Sequence, residues 1–438
     1  MLLTRGEREA MYVKRVVLED LRGFKRADLE MKRPDGKYSG WWVITGDNGS
    51  GKTALLKAIA MALVGPDAIR ALEPSFQGWI RQGESKAKVK VEIVAGERDR
   101  FAVGRRPERP FWSELNLSAG SGPEIELSVG NTHGKEKKSP INGPWAANPS
   151  GWFCSGYGPF RRLYGASPDA QRVMSGPGRV ARFATMFRED ATLGECELWL
   201  KELHHKKLEG HQVEAQILES VRTLLDDDFL ENGLRIERVD SAGLWIRQSN
   251  DAVLPLSDMS EGYRAALAML IDLLRHMVQV HGHESFVQTK DGRPFVPHMG
   301  VVLIDEVDAH LHPEWQRRIG FWLKDKLPNV QFIVTTHSAM ICQAADQDGI
   351  FYLPPPGSDE YPERISGLDY LHIIKGKPDE ILRGRAFRLV NTRSERVVAA
   401  RREYSKLQSK AHSVGLTKPE ENYLKGIEWA VGSDENGD

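Results

Sequence analysis

Hydrophobic positions along the chain follow two periods, and the changes of period mark the elements. Tyr12–Glu19 carries the β-branched Val13, Val16 and Val17 and predicts a strand. Leu21-Arg22-Gly23-Phe24 breaks it, and Ala27–Met31 predicts a second strand. Trp41–Thr45 is a short apolar run, the form of a strand buried on both faces. Ala54–Val64 is apolar and free of Gly and Pro, so it predicts a helix, which Gly65-Pro66 ends. Lys88–Val94 alternates polar and apolar, as a half-buried strand does. Residues 105–150 are dense in Pro, Gly, Ser and Asn and predict loops and short strands.

Further on, Glu195–Leu225 predicts helix without a long heptad repeat, and Leu234–Val239 with Leu244–Gln248 predict paired strands. Glu261–Val280 predicts a long helix. Gly300–Ile304 and Gln331–Thr335 predict buried strands separated by the helix Pro313–Leu327. Pro354-Pro355-Pro356-Gly357 is a break. Beyond it, Pro378–Lys410 and Lys418–Val431 predict charged helices, and Gly432–Asp438 a loose acidic end. No internal repeat is visible. Strand–helix–strand alternation calls for a parallel sheet with crossover helices, while the N-terminal strands look antiparallel. The expectation is an α/β fold with a mixed sheet.

Composition changes this picture little. The chain has 438 residues, 40 % of them hydrophobic, and a formal net charge of −1. A buried core is expected, and a strongly basic nucleic-acid binder is not indicated overall, although a local basic patch stays open. Cys154, Cys196 and Cys342 are far apart and form no Cys-x-x-Cys pair. That argues against a zinc knuckle or a disulfide framework and fits a reducing cytosol. Met1–Ala10 is polar and charged, unlike a signal peptide, and no run approaches the roughly 20 apolar residues of a membrane helix. A cytoplasmic protein with no membrane partner is expected.

The chemistry is concentrated at three strand ends. Gly46-Asp47-Asn48-Gly49-Ser50-Gly51-Lys52-Thr53 fits G-x-x-x-x-G-K-[ST] between a strand and a helix. Glycines let backbone N–H groups turn toward phosphate oxygens, and the following helix start, through Ala54, adds a positive dipole end. Lys52 is the candidate for neutralising β- and γ-phosphate charge, and Thr53 for holding Mg²⁺. Val301–Ile304 runs into Asp305 and Glu306. Asp305 is a second candidate Mg²⁺ ligand, and Glu306 a candidate base for an attacking water. Gln331–Thr335 delivers His337 to the same end of a parallel sheet, where ligands of such sheets bind. Its imidazole is a candidate γ-phosphate sensor; a core-edge histidine satisfied by backbone is the alternative.

In this order, and with Met259-Ser260-Glu261-Gly262-Tyr263 before a helix, the chain resembles ABC-type ATPases of the SMC/RecF/OLD-like branch. Within that branch it looks most like the short anti-phage defence ATPases of the Septu and retron systems. The resemblance implies a P-loop NTPase head with a helical insertion and a helical C-terminal tail. It implies segments over 1–11 (a flexible extension), 12–145 (first lobe), 146–240 (lobe linker and helical insertion), 241–355 (second lobe) and 356–438 (tail). It also implies ATP and Mg²⁺ as cofactors and a homodimer in which Ser260 and Gly262 cap the γ-phosphate bound by the second chain. An ordinary capping turn by Ser260 is compatible with that.

Other residues enter through the same resemblance. Arg22 looks like the arginine that approaches the nucleotide, or is a surface turn residue. Asp308-Ala309-His310-Leu311-His312-Pro313 looks like a D-loop in which His312 stands where transporters have aspartate; a His310/His312 metal pair lacks a third ligand. Gln82 is a candidate Q-loop residue. Tyr157-Gly158-Pro159-Phe160-Arg161-Arg162 resembles a lobe-linking stretch whose arginines contact phosphate or a partner, or form a basic turn. The absence of heptads excludes a long coiled coil. Asp346-Gln347-Asp348 reads as a helix-end turn rather than a nuclease ligand set, so a separate nuclease or toxin effector is expected. The arginines of 383–402 form a solvated face or a surface for nucleic acid or an acidic partner. The alternative function is a RecF-like ATPase that binds DNA in repair.

Overall fold

The computed structural model describes residues 11–120, 124–130, 138–146, 149–230, 233–358 and 360–430. The extension expected over 1–11 lies outside these residues except for Met11, which is buried, and the acidic end over 432–438 lies outside as well.

Strands β1 (Tyr12–Leu21) and β2 (Phe24–Glu30) form an antiparallel hairpin whose turn holds Arg22 at φ +49. Strand β3 (Gly40–Gly46) leaves for a second sheet. Strands β4 (Lys86–Val94), β5 (Phe111–Ala119) and β6 (Ile125–Val129) complete an antiparallel sheet in the order β2-β1-β4-β5-β6. In β4, Ala87, Val89, Val91 and Ile93 are buried while Lys86, Lys88 and Lys90 are not, so one face is core and the other solvated. Strand β5 is longer than the short strands its Pro- and Gly-rich surroundings predict. Phe111, Ser113, Leu115 and Leu117 are buried along it, and that burial outweighs the local turn composition.

Strand β7 (Cys154–Tyr157) belongs to the second sheet. Strands β8 (Arg235–Asp240), β9 (Gly243–Arg247) and β10 (Val253–Pro255) form a small antiparallel sheet, and β11 (Gln288–Lys290) with β12 (Arg293–Phe295) a hairpin. The second sheet is completed by β13 (Gly300–Ile304), β14 (Val330–Thr335), β15 (Ile350–Leu353) and the antiparallel edge strand β16 (Glu363–Ile365). Its order is β16-β15-β3-β14-β13-β7, with all pairs but the first parallel. Every residue of β3, β13 and β14 is buried, which accounts for their unbroken apolar runs. The fold is a mixed α/β architecture, as the alternation predicts.

Helix Lys52–Val64 lies between the two sheets and contacts β3, β13 and β14 on one side and β4 and β5 on the other. All of its residues but Thr53 and Lys57 are buried, as an element enclosed on two sides requires. Gly65, at φ +84, ends it; a Cβ there would lie 2.5 Å from the Trp145 ring.

Two helices depart from expectation. The stretch Glu195–Leu225 is two helices, Glu195–Leu208 and Gln212–Asp226, because Gly210 at φ +89 turns the chain back. The stretch Pro378–Lys410 is likewise divided. A short helix, Pro378–Arg383, stops at Gly384, and Ile381 and Phe387 enter the core. The next helix starts only at Glu395. Backbone contacts divide the chain between Phe387 and Arg388. The second unit comprises helices Glu395–Ser413 and Lys418–Ile427, tied by a Lys410–Glu420 ion pair at 2.6 Å; the first of them has no buried residue. Among the described residues no helix is long and apolar enough to cross a membrane.

Candidate functional site

Because β3, β14 and β13 are neighbouring parallel strands, their C-terminal ends share one edge. The register sets the chemistry. Ile304 pairs with Val334, so the next residues, Asp305 and Thr335, meet across the two strands. The Thr335 hydroxyl donates to Asp305 Oδ1 at 2.5 Å and accepts from the Glu306 N–H at 2.7 Å. The other carboxylate oxygen, Asp305 Oδ2, accepts from the Thr53 hydroxyl at 2.6 Å. Asp305 and Thr335 are buried, Glu306 half-buried at φ +46.

The loop Gly46–Thr53 is shaped by its glycines. Gly51, at φ +94, is the N-cap of helix Lys52–Val64, and a Cβ there would lie 2.7 Å from the Phe24 ring. Gly46, at φ +144, leaves no room either: a Cβ would lie 2.6 Å from the Leu353 carbonyl oxygen and 2.7 Å from Ser50 Oγ. Lys52 is 7 % exposed, and its ammonium donates to the carbonyls of Gly46 (2.9 Å) and Asp47 (3.0 Å). Burial lowers its pKa, and Asp305, then Glu306, oppose the shift. Ser50 Oγ is buried without a hydrogen-bond partner. Asn48 and Gly49 are exposed, and Ala54 is buried in the first helical turn. A small cleft of about 30 Å³ adjoins the loop at Gly49 and Ser50, walled by Phe24, Arg26, Pro354–Pro356 and Tyr361.

A phosphate-bearing ligand and a hard divalent cation fit these residues. Ser50 Oγ is an orphan in the cradle, and Thr53 and Asp305 offer adjacent oxygen donors, the chemistry Mg²⁺ takes. Among the described residues no group of three or more His, Cys, Asp or Glu side chains is placed to hold a metal, which leaves the His310/His312 pair without a third ligand of that kind. His312 instead caps helix Pro313–Lys326, accepting from the Glu314 N–H.

His337 follows β14 and is exposed. It is not the satisfied core-edge residue of the alternative reading. Its backbone N–H points to Asp308 Oδ1 at 3.4 Å, which also accepts from Thr336 Oγ1 at 2.5 Å. Ser260 and Gly262 open helix Glu261–His281 on a different segment. A Cβ on Gly262 would lie 2.3 Å from the His310 carbonyl oxygen, so this turn packs on the His310–Leu311 segment of its own chain. Ser260 is exposed at the N-cap, but its side chain makes no cap hydrogen bond, contrary to the capping-turn reading.

Two arginines differ from their sequence readings. Arg22 lies 4.1 Å over the Trp79 ring, and burial lowers its pKa. It is neither a free surface turn nor bonded to the phosphate loop. Arg161 turns inward: it is 5 % exposed and donates to the carbonyls of Gly158, Asp305, Glu306, Val307 and Ala309. Arg162 is the exposed one, over Phe160. Gln82 sits in an exposed turn. Asp346 is structural, accepting from the Trp41 N–H at 2.7 Å and pairing with Lys324 and Arg33, while Asp348 holds a left-handed turn. Thr335 and Phe24 were not singled out by sequence; the register and the hairpin turn bring them in.

Comparison with known proteins bears on this geometry. Residues 15–139 match the family model described as AAA domain, and residues 218–342 the one described as AAA domain, putative AbiEii toxin, Type IV TA system. These two stretches are AAA ATPase domain sequence. The first carries the Gly46–Thr53 loop, and the second carries Ser260, Asp305, Glu306 and His337. The chain is homologous to the Retron Ec83 probable ATPase of Escherichia coli, 34 % identical over 141 residues, which cover 31 % of this chain and 24 % of that protein. It is also homologous to Septu protein PtuA of Bacillus mycoides, 21 % identical over 330 residues, which cover 75 % of this chain and 38 % of that protein. The chain therefore spans well under half the length of either relative. Among solved structures, an Smc head domain from Pyrococcus furiosus aligns with 83 % of this chain and 99 % of that chain at 15 % identity and a TM-score of 0.46.

Proposed function

We propose that the chain binds ATP with Mg²⁺ at the Gly46–Thr53 loop and hydrolyses it as a switch operated by two chains. The observation that carries this is the 2.6 Å bond between Thr53 and Asp305, which joins the loop to a strand end 252 residues away in sequence. Loop N–H groups and the helix start take phosphate oxygens, and Lys52 exchanges its two carbonyl partners for β- and γ-phosphate oxygens. A bound Mg²⁺ supplies charge neutralisation on the phosphates, held by Thr53 and Asp305. Glu306 orients the attacking water and accepts its proton; its backbone is fixed through Thr335. His337 reaches the γ-phosphate from the end of β14.

Ser260 and Gly262 serve the ATP of a second chain. The exposed Ser260 hydroxyl, without an intrachain cap bond, supports that role. By analogy with the relatives whose names place them in retron and Septu systems, the switch controls a separate nuclease or toxin effector in anti-phage defence.

Glu306→Gln is the test. The variant is expected to bind ATP, to dimerise with it, and to lose hydrolysis by about 100-fold or more. Normal turnover would remove Glu306 from its role, and a chain that stays monomeric with ATP in this variant would sink the two-chain site. Salt-sensitive, ATP-dependent DNA binding by the chain alone would move the biological role to RecF-like repair.

A further inference from the structure

Arg161 is a fully enclosed cation whose hydrogen-bond acceptors are neutral. Its Nη1 donates to the Gly158 carbonyl at 3.1 Å and the Asp305 carbonyl at 3.0 Å. Its Nη2 donates to the Glu306 carbonyl at 3.0 Å, the Ala309 carbonyl at 3.2 Å and, at the limit of hydrogen-bond length, the Val307 carbonyl at 3.5 Å. Removing a guanidinium from water is costly, and here no carboxylate bonds directly to offset the cost. Four of the five acceptors belong to one turn, Asp305 to Ala309. That turn contains Glu306 at φ +46 and is followed by His310 at φ +64, conformations a non-glycine residue adopts only when its surroundings hold it there.

The anchor of the device is the end of β7. The Tyr157 carbonyl accepts from the Asp305 N–H at 2.8 Å, and Ile304 pairs with Tyr157. Four residues on, Arg161 reaches back over the same turn. The turn is therefore held by its N–H side through Tyr157 and Thr335 and by its carbonyl side through one guanidinium. A guanidinium is planar and carries five N–H donors in a fixed fork; an ammonium has three donors on one atom and cannot span the same set of carbonyls.

We propose that Arg161 is a positioning residue for hydrolysis: it fixes the Asp305–Ala309 turn so that the Glu306 carboxylate and the following His310–Leu311 segment are set for the attacking water and for the second chain. It does not touch the nucleotide. This rests on the ATPase reading of the same site.

The test uses the full chain with Arg161→Ala and Arg161→Lys, and measures ATP affinity with a fluorescent ATP analogue, single-turnover hydrolysis, and rescue by guanidinium ion at tens of millimolar. ATP affinity is expected to stay within about threefold of wild type while hydrolysis falls about 100-fold in the alanine variant, the scale of a 1 Å misplacement. Lysine is expected to recover little of it. Guanidinium is expected to restore hydrolysis at least about tenfold in Arg161→Ala and to leave Glu306→Gln dead. Should circular dichroism show that the alanine variant does not fold, the lysine variant is read in the same way. Hydrolysis at the wild-type rate in either folded variant, or a parallel fall of ATP affinity and hydrolysis, overturns the proposal. A wild-type chain that does not hydrolyse ATP overturns the ATPase reading instead.

Discussion

Replacing Thr335 with valine tests the centre of the site with one atom. The residue is fully buried, and its hydroxyl serves two groups: it donates to Asp305 Oδ1 and accepts from the Glu306 N–H. Valine fills nearly the same space, so no cavity contributes. A hydrogen bond to a charged acceptor is worth about 1.5–3 kcal/mol, and a buried N–H left without a partner costs about 1–3 kcal/mol. Together they predict a loss of about 2.5–6 kcal/mol before relaxation, a large part of the roughly 5–15 kcal/mol stability of a typical domain. With a urea slope of about 3 kcal/mol per M, the unfolding midpoint falls by about 1 M or more. Thr335→Ser keeps the hydroxyl and loses a methyl group, which costs about 1 kcal/mol. Urea unfolding of the three proteins, followed by tryptophan fluorescence, separates the two effects. A valine variant as stable as the serine variant would refute the reasoning, because the two hydrogen bonds would then contribute no more than one buried methyl group. The same pair read for hydrolysis is expected to show the serine variant active and the valine variant impaired, since Asp305 and Glu306 lose their shared brace.

Other outcomes follow from neighbouring features. Gly51→Ala is expected to lower the thermal midpoint and weaken ATP binding, because the φ of +94 is strained for alanine and the new methyl meets the Phe24 ring; adding Phe24→Leu should recover part of the loss, and no recovery would show that Phe24 is not the obstacle. Asp99 is buried, accepts from the Gly96 N–H at 2.5 Å, and has its pKa pushed up to about 7 by burial. The folded state holds that proton while the unfolded chain, near its ordinary value of about 4, has lost it, so stability falls as pH rises from about 4 to about 7. Asp99→Asn is expected to flatten this dependence; urea midpoints at pH 5 and pH 8 that drop equally in both proteins would exclude Asp99 as its source.

What could be read from sequence was what is local. The Gly46–Thr53 loop is contiguous, and its glycines, lysine and hydroxyl announce both conformation and chemistry. Strands β13 and β14 were legible because both faces are buried, so their apolar runs are unbroken and the polar residues that end them stand out. What could not be read depends on register and long-range packing. Thr335 looks like any β-branched strand residue until Ile304 is set opposite Val334. Arg161 sits in an arginine pair with no local sign of which one turns inward. Phe24 becomes part of the loop only because the β1–β2 turn folds under Gly51. The helix breaks at Gly210 and Gly384 show the opposite failing. Each glycine is visible in the sequence, but the helix-forming residues on both sides of it mask the break.

The enclosed helix Lys52–Val64 carries a consequence for how the molecule comes apart. A ligand usually protects the patch it touches. Here the turn that carries Lys52 and Thr53 opens a rod that both sheets grip, so freeing that turn means prising two layers off a common axle. Occupancy of the loop should then slow amide exchange far from it, in β4 and β5 as much as in β3 and β14. Melting of the main unit should shift as one transition rather than shedding a loose nucleotide lobe first.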